Sequence, residues 1–199
     1  VDTHFRWMEE YGLAGVFMQR FLAEIARPSG KKHFNRVLDH AMGAALRHSR
    51  AICIMYDLSG MPENGPELLL SDIRELAGEH NLFNHEANPS YLYHNGKPLV
   101  AVWGIGFNDR RKYGLDEGRT IIDGLKDLGF SIMIGVPTYW RELGTDTVKD
   151  SRLHDLILSC DIVMPWFVGR YREQSYPRFS SLIDSDIKWA ASHGIDYAP

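Results

Sequence analysis

Cysteine is nearly missing from this 199-residue chain, and the two present, Cys53 and Cys160, lie in apolar surroundings. They read as small buried hydrophobes and define no redox compartment. Long apolar runs are missing too. None reaches the ~18 residues of a membrane span, so no membrane-spanning segment is expected. Val1-Asp2-Thr3-His4 has neither the basic nor the apolar region of a secretion signal. Basic residues are scattered and the net charge is −4, which argues against a nucleic-acid partner. The nine histidines show no H-x-H or H-E-x-x-H spacing, and most read as solvated helix-face or loop residues, so neither a metal nor a cofactor is expected. No G-x-S-x-G string places a serine nucleophile.

What is present is a repeated alternation of strand and helix. The clearest strand is Leu99–Phe107, which runs almost without polarity into Asn108, Asp109, Arg110 and Arg111. Apolar runs bounded by turn signals fit strands covered on both faces. Strands are also expected at Ala14–Met18, Ala51–Tyr56, Phe130–Val136, Asp161–Pro165 and from Ile195, with a short one at Tyr91-Leu92-Tyr93. Between them, apolar residues at helical spacing predict helices over Lys31–Arg47, Pro66–Leu76, Leu115–Leu128, Asp150–Ser159 and Phe179–Ser192, and another over Val1–Tyr11.

Such crossovers force a parallel sheet, which is either an open doubly wound sheet or a (β/α)₈ barrel. Gly104-Ile105-Gly106 is the nearest approach to a dinucleotide fingerprint, but Asp109 stands where a third glycine is needed. The barrel is therefore favoured: a single-domain α/β fold over residues 1–199, present as an incomplete (β/α)₈ TIM barrel of about five to six βα units.

In a barrel, the residues that follow each strand build the site. These are Gln19 and Arg20, then Asp57, then Asn108, Asp109 and Arg110, then Thr138, Tyr139, Trp140 and Arg141, then Trp166, Arg170 and Tyr171. The predicted substrate contacts are Arg20, Asp57, Asn108, Asp109, Tyr139, Trp140, Trp166 and Arg170. Aromatic faces stack on the C–H faces of sugars, while carboxylates, amides and guanidiniums satisfy hydroxyls, so a neutral carbohydrate suits this set. The bland alternatives are a cap or turn at Asp57, Asn108 and Asp109, plugs at Trp140 and Trp166, and internal ion pairs at the arginines.

Four strings carry a more specific resemblance. They are Trp7–Phe21, Met55-Tyr56-Asp57-Leu58-Ser59-Gly60-Met61, Val102–Asp109 and Pro165-Trp166-Phe167-Val168-Gly169-Arg170-Tyr171. Together they resemble bacterial glycoside hydrolases of the family 71 and 99-like group. That resemblance implies a (β/α)₈ barrel acting on α-mannan-like or xylan/arabinan-like carbohydrate, in a secreted or periplasmic protein whose signal segment is missing. It places Asp57 beside the −1 sugar subsite. The family's paired catalytic carboxylates, in a Glu-x-x-Glu-like segment, have no counterpart before Pro199, so the catalytic pair is expected outside this chain. A non-catalytic carbohydrate-binding barrel is the alternative.

Overall fold

The structure, a computed structural model, describes all residues from Val1 to Pro199. Helix α1 (Asp2–Glu10) leads into β1 (Gly15–Phe21), the short α2 (Leu22–Ile25) and the long α3 (Pro28–Arg47). The chain continues through β2 (Ala51–Asp57), α4 (Gly65–Glu79), β3 (Tyr93–His94) and β4 (Lys97–Trp103). It ends with α5 (Leu115–Asp127), β5 (Ser131–Val136), α6 (Arg152–Leu158), β6 (Ile162–Pro165), α7 (Tyr176–Ser192) and β7 (Asp196–Tyr197). The strands lie side by side in the order β1-β2-β4-β5-β6-β7, all parallel, with β3 folded back antiparallel on the start of β4. β1 and β7 remain unpaired on their outer edges. The expected parallel α/β architecture of a partial barrel is the one observed.

Side-chain alternation along a strand divides the sheet into two faces. Ile52, Ile54 and Tyr56 on β2, Val100 and Val102 on β4, and Ile132 and Ile134 on β5 pack outward into the main core with the helices. Cys53, Leu99, Ala101, Met133 and Ile162 face the other way and form a small inner cluster along the barrel lumen. The helices supply the matching stripes: Leu38, Ala41, Ala44 and Ala45 of α3, and Ile121, Ile122 and Leu125 of α5, are buried. The α3 alanines bring that helix close to the sheet. Both cysteines are buried and free, and burial pushes both thiol pKa values up. No helix is long and apolar enough to cross a membrane.

At the amino end of the sheet, the β3–β4 hairpin turns at Asn95 and Gly96, both with positive φ, and carries His94 beneath the strands. The His94 ring lies 2.8 Å from Ser131 Oγ at the start of β5 and 2.8 Å from Asp196 on β7.

Several boundaries differ from the sequence reading. Helix α3 begins at Pro28, ahead of the predicted Lys31, because a first-turn proline lacks only an N–H that has no helical partner. The β4 strand stops at Trp103, four residues short of the predicted Phe107, since Gly104 (φ 115°) and Gly106 (φ 83°) leave the extended region. β1 runs past Met18 to Phe21. Gln19 and Arg20 are therefore strand residues whose side chains point to opposite faces.

Candidate functional site

The carboxyl ends of β1, β2 and β4 meet at Asp57. Gln19 on β1 donates its side-chain amide to Asp57 Oδ2 at 2.6 Å, and the Ser59 backbone N–H donates to Oδ1 at 2.8 Å. Asp57 is buried and lies level with Trp103 across the β2–β4 pairing. Trp103 in turn lies level with Gly135 of β5, where a Cβ would fall 2.7 Å from Trp103 Cδ1. Gly135 thus leaves the space the indole occupies. Trp103 packs edge-on to Trp166 (5.3 Å between centroids) and against Phe107 (4.9 Å), and its buried Nε1 has no partner.

The loop after β4 closes over this wall. Arg111 grips both carboxylate oxygens of Asp109 at 2.7 and 2.9 Å and donates to Gly104 O at 3.1 Å. Its guanidinium carbon lies 4.5 Å from the centre of the Phe107 ring, 5.1 Å from that of Trp103 and 5.7 Å from that of Tyr113. Burial alone would lower the Arg111 pKa, but the bonds to Asp109 and Tyr113 outweigh it and raise it. Tyr113 donates its phenol to Gly104 O at 2.9 Å, and burial pushes that phenol up to about 12. Tyr113 also feels the charges of both Asp109 and Asp57. Gly104 must be glycine here: besides its φ of 115°, a Cβ would lie 2.6 Å from Arg111 Nη1.

A second group joins the loops after β5 and β6. Asp146 accepts from the backbone N–H of Thr138 and of Tyr139, each at 3.2 Å, and pairs with Arg170 at 3.3 Å. Thr138 Oγ1 donates to Trp166 O at 2.6 Å. Asn108 is exposed and its backbone N–H donates to Asp146 O at 2.9 Å, which ties the β4 loop to the same group.

The predicted residues thus divide. Asp57, Asp109 and Trp166 come together around Trp103 and Arg111, and Asn108, Tyr139 and Arg170 gather around Asp146. Arg20 and Trp140 do not join them, and their expected place in the mouth is corrected. Arg20, only 3% exposed, faces the helices, where Asp72 of α4 holds it through two bonds of 2.6 and 2.7 Å. Asn35 and Tyr56 complete that network. Trp140 is fully buried: its indole N–H donates to Asp186 of α7 at 3.2 Å, and its ring meets Trp189 edge-on at 4.9 Å. Neither side chain touches the lumen.

Four contributors escaped the sequence reading. Trp103 follows Leu99 and Ala101 at period two and so shares their lumen face, a signal hidden by placing it mid-strand. Arg111 and Tyr113 stood in the polar run, but nothing local says which of three consecutive cations turns inward. Asp146 lies in a stretch without periodicity, and only the fold brings it to the strand ends.

No protein-family model matches the chain, and no curated protein matches it by sequence. Among solved structures it is similar to the GH99 endo-alpha-mannosidase from Bacteriodes thetaiotaomicron, solved in complex with Bis-Tris-propane. The identity is 12% and the TM-score 0.61, with 100% of this chain and 54% of that one covered. The chain spans about half the length of that structure, and what the likeness shows is the fold, a part of a (β/α)₈ barrel.

Proposed function

We propose that this chain forms the sugar-holding part of a glycoside hydrolase, acting on a polysaccharide or oligosaccharide of the α-mannan or xylan/arabinan kind. The observation that carries the reading is the Trp103–Trp166 wall standing beside Asp57 at the carboxyl ends of adjoining strands. Apolar faces for C–H surfaces beside fixed acceptors for hydroxyls are what a sugar ring requires.

Asp57 and Asp109 are read as substrate holders. Each is already committed as an acceptor, Asp57 to Gln19 and Ser59, Asp109 to Arg111. Glycoside hydrolysis needs two further carboxylates, one donating a proton and one acting as nucleophile or base. Titration of the intact protein with α-mannan and xylan-type oligosaccharides, together with analysis of released reducing ends, tests the reading. Binding with cleavage supports it, binding without cleavage favours the non-catalytic carbohydrate-binding barrel, and absence of any saccharide binding overturns both.

A further inference from the structure

Next to the mouth, the loops after β2 and β4 enclose a cleft of about 650 Å³ that the sugar-holding residues leave unused. Glu63 stands on the β2 lip, Arg110 and Lys112 stand on the β4 lip, and Arg111 and Tyr113 close the base. The middle cation of this run is spent on Asp109 and Gly104, while the two beside it are exposed and engage no carboxylate. Arg110 holds a φ of 63°, in the left-handed region that few residues other than glycine adopt. Of the two acids lining the cleft, Glu117 is occupied at the Gly114 N–H, 2.8 Å away. Glu63 makes no ion pair with the cations opposite, so the cleft holds opposite charges apart instead of letting them neutralise one another.

From this arrangement we infer that the cleft is an extension of the sugar site that recognises an anionic saccharide, one bearing a carboxylate or a sulfate ester. The inference rests on the carbohydrate reading above. Arg110 and Lys112 meet the anionic group, Arg110 through its planar fork. Glu63 accepts from ring hydroxyls on the facing lip, a role that a bare inorganic anion leaves empty. Arg111 and Tyr113 belong to both the cleft and the mouth cluster, so one oligosaccharide lies across the two.

The test is calorimetric titration of the intact protein with a neutral mannan oligosaccharide, an oligogalacturonate and a sulfated oligosaccharide of similar length. The expected result is an affinity for one acidic ligand about tenfold above that for the neutral one, shrinking toward equality near ~0.5 M salt. Whichever acidic ligand is preferred names the anionic group. Arg110→Ala/Lys112→Ala abolishes the preference by bringing the affinity for the acidic ligand down to that for the neutral one, whereas Arg110→Lys/Lys112→Arg retains most of it. Equal affinity for neutral and acidic ligands, or a preference that survives the alanine pair, overturns the cleft assignment alone. Binding of no saccharide of any kind overturns the carbohydrate reading and this inference with it.

Discussion

Gln19 and Asp57 are joined by a 2.6 Å hydrogen bond across the β1–β2 pairing, with the amide donating to the carboxylate. The contact fixes Asp57 Oδ2 in the lumen while Ser59 holds Oδ1. Asp57→Ala should therefore weaken oligosaccharide binding about tenfold or more, the range for losing a hydrogen bond to a charged group. Gln19→Ala, which frees the carboxylate without removing it, should weaken binding less. Titration calorimetry on both variants checks the order; an Asp57→Ala protein with unchanged affinity removes Asp57 from the site.

Gly104 gives a second test, with a control in the same chain. Gly104→Ala meets both a left-handed backbone and the Arg111 guanidinium, whereas Gly12→Ala at φ 70° meets no atom within 4 Å. The first should cost about 1–3 kcal/mol and the second about 1 kcal/mol, read as a larger fall in melting temperature for Gly104→Ala. Equal melting temperatures would show that the Arg111 contact places no demand on position 104.

The Arg20–Asp72 pair predicts a large stability effect away from the proposed sugar site. Asp72→Ala leaves a buried guanidinium and the Tyr56 hydroxyl without their acceptor and should cost about 3–5 kcal/mol in denaturant unfolding. Adding Arg20→Met to Asp72→Leu should recover much of that loss, since a buried ion pair and its apolar replacement are close in net stability. A double variant no more stable than Asp72→Ala argues for a different role for the pair.

Tyr113 gives a pH dependence. Its folded pKa, raised by burial to about 12 from the ordinary 10.0, means that the folded protein holds this proton more tightly than the unfolded chain. The associated stability is fully present below pH 10 and is lost as pH rises toward 12. Tyr113→Phe should flatten the fall in stability across that window and remove one late-titrating phenol from the tyrosinate absorbance curve. A difference curve showing the lost phenol titrating near 10 would contradict the buried Tyr113–Gly104 bond.

The strand and helix rhythm was legible in the sequence because strands buried on both faces and helices with one apolar stripe leave unmistakable patterns. Asp57, Asp109 and Trp166 were legible for the same reason, as they follow strand ends. Arg20 and Trp140 were not: a one-position difference decides whether a side chain enters the lumen or the helix layer, and β1 runs three residues beyond its apolar stretch. Their partners, Asp72 and Asp186, lie 52 and 46 positions away, beyond the reach of any local signal. Asp146 is the converse case, an acid in a featureless loop that becomes a hub only because parallel strands carry the β5 and β6 loops to one end.

His94 bonds to β5 and β7 at once, passing beneath β6. It is a chord drawn across an arc of three staves. A chord of fixed length limits how far its ends can part, so the hairpin at the floor ties the amino ends of β5 and β7 to each other. The amino ends of β5 and β7 are thus joined by a single imidazole, at the end of the sheet opposite the Asp146–Arg170 pair.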